Sequence, residues 1–181
     1  MPFDRKRILV LGGARGGKSR FAQELAGNFS NKVLFVATGE PLDEEMQSRI
    51  EQHKQDRPSS WRTIETPVDI GRQVEKQIGD AEVVVIDCLT LLVSNLLGKS
   101  TDYLKAEKLA MVDMNELIAC MDRLDVNFII VSNEVGFGIV PKTKAGRIYR
   151  DLLGKVNQLI AQHADVVYLM VAGIPVKLKG D

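Results

Sequence analysis

Eight residues near the start of the chain have the types and spacing that bind nucleotide phosphates. Residues 12–19 read Gly-Gly-Ala-Arg-Gly-Gly-Lys-Ser, a complete G-x-x-x-x-G-K-[ST] phosphate-binding loop, or P-loop. In such a loop the glycines let backbone N–H groups point at phosphate oxygens. Lys18 can then reach the β- and γ-phosphates, and the Ser19 hydroxyl can bind Mg²⁺. The pattern predicts a nucleotide site in which Lys18 is catalytic.

The residues on either side of the loop fit this interpretation. The apolar run 8–11 precedes the loop and predicts a β-strand. After the loop, Phe21, Ala22, Leu25 and Ala26 have the spacing of one face of a helix. A strand, the loop and a helix form the context that the motif requires, which disfavours a glycine-rich turn that matches by chance.

Two carboxylates follow other apolar runs. Asp87 comes directly after the run 83–86. Because Mg²⁺ takes one or two oxygen ligands from protein and keeps several waters, Asp87 with Ser19 could bind it. The alternative is an acidic cap on a segment that starts near Leu89, but the loop upstream favours the metal. Glu134 could act as a base toward a substrate hydroxyl or cap a turn, and the sequence leaves both open.

The two histidines invite different interpretations. From spacing alone, we favour His53 as a histidine on the half-buried face of a helix predicted at 43–56. The other interpretation is a nucleophile, because imidazole can attack phosphorus and Arg49 and Arg57 lie four residues to either side. His163 ends a predicted helix, where a partly charged imidazole suits the helix dipole.

The pattern of the whole chain predicts an α/β fold. Apolar, β-branched runs typical of buried parallel strands occur at 8–11, 33–37, 83–86, 128–131 and 166–171. Helices are predicted at 18–27, 43–56, 68–78, 103–123 and 143–163. The segment 174–178 follows Gly173 too closely for a crossover and predicts an antiparallel edge strand. The predicted fold class is a P-loop NTPase (RecA-like) three-layer α/β domain with a mostly parallel sheet, spanning residues 1–181 as one catalytic unit.

The composition argues against nucleic-acid and membrane partners. The 181 residues carry 24 Lys plus Arg and 24 Asp plus Glu, so no net charge attracts polyanions. No apolar run approaches the roughly 18 residues that a membrane helix needs. The charged start of the chain is unlike a secretion signal, and two cysteines are too few for a disulfide scaffold. We therefore expect a cytoplasmic protein that binds neither nucleic acid nor membrane.

Several segments together resemble one enzyme family. They are residues 12–20, the element 49–58 with His53 and Lys54, and residues 133–136 with 138–141. With Ala37-Thr38, 43–46, 61–63 and Glu65, they resemble the bifunctional adenosylcobinamide kinase/adenosylcobinamide-phosphate guanylyltransferases of cobalamin biosynthesis. The resemblance extends from residue 8 to about 179.

The resemblance implies two reactions. A nucleoside triphosphate, ATP or GTP, first phosphorylates the aminopropanol hydroxyl of adenosylcobinamide. GTP and the phosphorylated product then give adenosylcobinamide-GDP and pyrophosphate. The family's guanylylated histidine corresponds to His53, which makes the nucleophile the favoured interpretation of that residue. The family resemblance also implies a homotrimer.

The family's nucleotide contacts are implied at the residues that match its motifs. These are Gly12, Gly13, Ala14, Arg15, Gly16, Gly17, Lys18, Ser19, Ala37, Thr38, Gly39, Lys54, Gln55, Asp56, Arg57, Glu65 and Asp87. Ser19 and Asp87 are the expected ligands of Mg²⁺. Gly16 stands where the family often has serine, and Asp87 where relatives can have glutamate.

Two other functions are compatible with the motifs taken singly. The first is a P-loop kinase for a small molecule that lacks the guanylyltransferase step, in which His53 is structural. The second is a non-enzymatic GTP-binding switch, against which the chain shows no evident Asn-Lys-x-Asp motif for reading guanine.

Overall fold

Within the described residues, seven strands form one sheet with the first strand near its centre. The fold is that of a computed structural model, which describes residues 5–40, 44–55, 57–98 and 102–180, apart from the side chains at positions 45, 46, 49 and 53. The strands are β1 (Arg7–Gly12), β2 (Val33–Ala37), β3 (Arg62–Glu65), β4 (Val83–Asp87), β5 (Asn127–Val131), β6 (Val166–Val171) and β7 (Ile174–Lys179). Their order across the sheet is β3-β2-β4-β5-β1-β6-β7.

The strand directions confirm the predicted fold class. Neighbouring strands from β3 through to β6 pair in parallel, and β7 pairs with β6 in the antiparallel direction. The register places Asp87 beside Ala37 on one side and beside Val131 on the other. The carboxyl ends of β2, β4 and β5 therefore meet at one edge of the sheet, which is where ligands bind in folds of this kind.

Helices cover both faces of the sheet. They are α1 (Lys18–Phe29), α2 (Glu44–Gln55), α3 (Ile70–Gln77), α4 (Leu89–Gly98), α5 (Tyr103–Arg123) and α6 (Lys144–His163). Because successive strand residues face opposite ways, Leu9 joins a core cluster with α3 to α6, while Val10 joins a second cluster with α1. None of the described helices has the length and apolar character needed to cross a membrane.

The predictions missed β3 and α4, each for a physical reason. In β3 only Ile64 is buried, so this edge strand lacks the continuous apolar run of its neighbours. In α4 the apolar side chains are spread around the helix, and Leu92, Val93 and Leu96 are all buried. A short helix that is apolar all round has no 3.6-residue pattern to reveal it.

The contact between α3 and α5 gives a test of the packing. A Cβ added to Gly71 of α3 would lie 2.7 Å from the carbonyl oxygen of Glu116 on α5. We expect Gly71→Ala to lower the free energy of unfolding by about 1–3 kcal/mol, because backbone must move to make room. The matched control is Gly27→Ala on α1, where a Cβ meets nothing within 4 Å and the change should stabilise the helix. Urea denaturation measures both, and equal stabilities for the two variants would contradict the packing.

Candidate active site

The loop between β1 and α1 has a backbone that requires glycine at both ends. Gly12 ends β1 at a φ of 150°, and a Cβ there would lie 2.7 Å from the carbonyl oxygen of Met170 on β6. Gly17 is the N-cap of α1 in the left-handed region, with a φ of 87°. Since Gly17 has no side chain to cap the helix, the first N–H groups of α1 face outward as an anion site.

Lys18 brings a nearly buried ammonium into this loop. Its side chain is 7% exposed, and Nζ donates a hydrogen bond of 2.7 Å to the carbonyl oxygen of Gly13. Burial lowers the pKa of Lys18, and the nearby Cys88 and Asp87 oppose that shift. A backbone carbonyl compensates a buried positive charge only in part, so phosphate oxygens are a better partner for this group.

A pocket of about 510 Å³ opens beside the loop at the carboxyl edge of the sheet. Its volume is in the range of small-molecule sites. The expected nucleotide residues that line it are Ala14, Arg15, Gly16, Gly17, Lys18, Ser19, Ala37, Gly39, Arg57, Glu65 and Asp87. Lys18 and both expected metal ligands therefore face one pocket.

Seven further residues line the pocket without having been predicted as site residues. They are Arg20, Ile50, Cys88, Thr90, Leu91, Val131 and Asn133. Cys88, Thr90 and Asn133 follow the strands β4 and β5, where ligands are expected to bind in a sheet of this kind. The apolar side chains of Ile50 and Leu91 have no comparable signal in the sequence.

The donor set of the pocket suits Mg²⁺. Asp87 lies in the pocket wall two residues before α4 begins, and Ser19 lies in the wall at the start of α1. A carboxylate and a hydroxyl are hard oxygen donors, and Mg²⁺ fills its remaining positions with water and substrate oxygens. Among the described residues, no three His, Cys, Asp or Glu side chains gather to hold an ion. The two oxygen donors thus fit an ion that needs few protein ligands.

Arg57 supplies a second under-compensated cation. Its guanidinium carbon lies 3.9 Å from the centroid of the Phe35 ring. Within the described parts of the chain, its Nε and Nη1 atoms are buried without a hydrogen-bond partner. Burial lowers the pKa of Arg57, while Asp87 and Glu65 oppose the shift. Buried N–H groups are nearly always paired in native proteins, so an anionic ligand is a natural partner here.

A second pocket of about 340 Å³ adjoins the first. Arg57 and Glu65 line both pockets, and Lys54 lines the second. Lys54 forms an ion pair with Glu65 on the protein surface. Of the residues predicted to contact nucleotide at and after the end of α2, Lys54 therefore lines only the second pocket and Arg57 lines both.

The remaining predicted residues lie outside the pocket wall or outside the described parts. Gly12 and Gly13 belong to the loop backbone, and Gln55 is exposed at the end of α2. The backbone of His53 lies in α2, one turn after the pocket residue Ile50, while its side chain is outside the described structure. Asp56 is also outside the described residues. The role of His53 as a nucleophile therefore stays a prediction.

Thr38 has partners other than those expected of a nucleotide contact. It is fully buried, and its hydroxyl bonds to the backbone of Cys88. Its N–H donates to Asp87 and its carbonyl accepts from Asn95. With every polar group paired inside the protein, Thr38 makes no surface available to a ligand in this conformation.

Of the two roles considered for Glu134, the structure favours capping a turn over acting as a base toward a substrate hydroxyl. Its Oε1 accepts a hydrogen bond of 2.7 Å from the N–H of Gly136, and its own N–H donates to the carbonyl of Gly12.

His163 is the last residue of α6, with Nδ1 at 2.9 Å from the carbonyl oxygen of Leu159, as expected for a histidine at a helix end.

A P-loop between the first strand and helix of a mostly parallel sheet, facing an acidic strand end, is the arrangement of a P-loop NTPase fold. A family model described as cobinamide kinase / cobinamide phosphate guanyltransferase matches residues 8–178. The chain belongs to this family, as its sequence motifs predicted.

Curated relatives support the same assignment over nearly the whole chain. The bifunctional adenosylcobalamin biosynthesis protein CobU of Escherichia coli is 43% identical over 180 residues, covering 95% of this chain and 99% of that protein. The protein of the same name from Salmonella typhimurium is 40% identical with the same coverage. The bifunctional adenosylcobalamin biosynthesis protein CobP of Pseudomonas aeruginosa is 39% identical, covering 97% of this chain and 98% of that protein.

The thiol in the pocket gives a test of the local electrostatics. Burial and the nearby Asp87 raise the pKa of Cys88 to about 11. Because the thiolate is the reactive form, we expect alkylation by iodoacetamide at pH 8 to be on the order of 100-fold slower than for free cysteine. The rate should rise about tenfold per pH unit toward pH 10 while circular dichroism shows an intact fold. Peptide mass mapping measures the rate at Cys88, and labelling at the free-thiol rate at pH 8 would contradict the described environment.

Proposed function

We propose that the pocket at residues 12–19 holds the nucleoside triphosphate of a bifunctional cobinamide kinase and cobinamide phosphate guanylyltransferase. Family membership supports both reactions. The observation that carries the assignment to this pocket is the pair of under-compensated cations, Lys18 and Arg57, beside the oxygen donors of Ser19 and Asp87. Triphosphate with Mg²⁺ complements that set of charges.

The first reaction is phosphoryl transfer to an alcohol. The aminopropanol hydroxyl of adenosylcobinamide attacks the γ-phosphorus, and the bond from phosphorus to the β–γ bridging oxygen breaks with its electrons passing to the departing nucleoside diphosphate. The hydroxyl proton passes to solvent water. Lys18 stabilises the charge on the β- and γ-phosphates, and the N–H groups of the loop hold the phosphate oxygens. Ser19 and Asp87 would hold Mg²⁺, which when bound neutralises the same phosphates.

The second reaction needs a nucleophile that a P-loop alone does not supply. An imidazole nitrogen of His53 attacks the α-phosphorus of GTP, and pyrophosphate leaves with the electrons of the broken bond. A phosphate oxygen of adenosylcobinamide phosphate then attacks the same phosphorus, which releases His53 and gives adenosylcobinamide-GDP. Arg57 neutralises phosphate charge during these steps, in keeping with its buried Nε and Nη1 atoms, which have no hydrogen-bond partner among the described residues.

The nucleotide preference differs between the steps in this proposal. The first step accepts ATP or GTP, since only the phosphates need to be held. The second requires GTP, and the nucleotide contacts extend from the loop to Ala37, Gly39, Lys54, Arg57 and Glu65. The residues Gln55 and Asp56 complete the segment that the family resemblance assigns to nucleotide.

The assembly in this proposal is a homotrimer. Its support, beyond the resemblance, is a set of exposed apolar side chains. Ile174, Val176 and Leu178 on the edge strand β7 are 44–65% exposed, and Phe137 and Ile139 in the segment between β5 and α6 are 83% and 96% exposed. Exposed apolar patches and unpaired edges are typical of interfaces. Light scattering should give three times the chain mass, and a monomer with full activity would contradict the trimer.

The division of labour between Lys18 and His53 can be tested with separate assays for each reaction. We expect Lys18→Ala to lower kcat of the kinase step by about 100-fold or more, because a charge that stabilises the transition state is removed. We expect His53→Ala to abolish covalent labelling by GTP radiolabelled at the α-phosphate, while the kinase step with ATP persists. The label should be acid-labile and base-stable, as a phosphoramidate is.

His163→Ala is the matched control, since it removes the chain's other histidine far along the sequence from the loop. It should label like the wild type. Full labelling of the His53→Ala variant would refute the role of His53 as the nucleophile. The chain would then either form the guanylyl product by another route or be a kinase without the second reaction.

A further inference from the structure

A single buried hydroxyl holds the backbone that follows Asp87. The Thr38 Oγ1 atom donates a hydrogen bond of 2.6 Å to the carbonyl oxygen of Cys88 and accepts one of 2.8 Å from the Cys88 N–H. The Thr38 N–H donates to the carbonyl oxygen of Asp87 at 3.2 Å. The end of β2 is therefore tied by three hydrogen bonds to the two residues at the end of β4.

Asn95 holds Thr38 in turn. Asn95 lies on α4 and is 8% exposed, and its Nδ2 donates to the carbonyl oxygens of Thr38 at 2.8 Å and Pro67 at 3.1 Å. Because α4 starts two residues after Asp87, these bonds close a ring from Asp87 through α4 to Asn95, then to Thr38, and back to Asp87. The ring fixes where strand β4 ends and helix α4 begins.

Neither Thr38 nor Asn95 reaches the pocket. Thr38 is fully buried with its polar groups paired, and neither side chain is part of the pocket wall, whereas Asp87 is. Anything these two residues do for the reaction must therefore pass through the backbone that carries Asp87. Metal-binding carboxylates depend on such supporting bonds, because a ligand must be held to within about 0.5 Å of its working position.

We propose that Thr38 and Asn95 are positioning residues that fix the Asp87 carboxylate for binding Mg²⁺, an inference that rests on the proposed function of Asp87. Removing the Thr38 hydroxyl leaves the Cys88 N–H without its partner and leaves the Cys88 carbonyl with only the 3.4 Å bond from the Leu92 N–H, so the peptide that follows Asp87 is held less firmly. The Asp87 carboxylate then loses its fixed position. The affinity for metal falls as a result, while kcat measured at saturating metal is less affected.

The test compares Thr38→Val, which keeps the size of the side chain, with Thr38→Ser, which keeps the hydroxyl. Mn²⁺ serves as the probe, and electron paramagnetic resonance measures its Kd with a non-hydrolysable GTP analogue present. We expect Thr38→Val to weaken Mn²⁺ binding about 10- to 100-fold and to raise the KM for Mg²⁺ in the kinase assay. Thr38→Ser should remain within about threefold of the wild type.

Asn95→Ala provides a second route to the same answer if Thr38→Val does not fold. It leaves the Thr38 hydroxyl in place and removes the support behind it, so a smaller shift in the same direction is expected. Unchanged Mn²⁺ affinity in folded Thr38→Val and Asn95→Ala proteins, with only Tm and kcat reduced, would overturn the proposal in favour of a purely structural role.

Asp87→Asn separates this inference from the proposed function. If Asp87→Asn weakens Mn²⁺ binding and the Thr38 and Asn95 variants do not, the positioning role fails while the metal assignment stands. If Asp87→Asn binds Mn²⁺ like the wild type, the metal assignment fails and the positioning role fails with it.

Discussion

The site depends on the buried ammonium of Lys18. A charge that is 7% exposed and held by a backbone carbonyl is costly to maintain, since removing an ion from water costs several kcal/mol in real proteins. The structure tolerates it because the loop at residues 12–19 turns the Gly13 carbonyl toward Nζ and because Asp87 lies close enough to favour the charged form. The same arrangement leaves the ammonium better suited to phosphate than to the carbonyl that it contacts, which supports the proposal that the loop binds triphosphate.

The rest of the fold supplies the neighbours of that charge. Parallel pairing brings the ends of β2, β4 and β5 to the loop, so Ala37, Asp87 and Val131 lie side by side at the wall of one pocket. The crossover helices bury both faces of the sheet and hold those ends in register. Arg57, stacked on Phe35, lies two residues after the end of α2 and adds a second cation to the same space.

The sequence predicts what local chemistry determines. The loop is recognisable because its glycines, Lys18 and Ser19 lie within eight consecutive residues, and α5 is predicted at its observed bounds because its apolar spacing is a local pattern. The apolar helix α4 and the polar edge strand β3 give no periodic signal. Contacts between residues distant in the chain are also beyond such reasoning. The bonds of Thr38 to Cys88 and the stacking of Arg57 on Phe35 depend on how β2, β4 and α2 come together, and no spacing in the sequence reports them.

Whether the pocket around Lys18 is the nucleotide site can be read from a crystal structure with a non-hydrolysable GTP analogue and Mg²⁺. We expect the β- and γ-phosphates within the loop, with Lys18 Nζ moved from the Gly13 carbonyl to phosphate oxygens and with Ser19 and Asp87 at the metal. Nucleotide bound at another surface, with the bond between Lys18 and Gly13 intact, would contradict it.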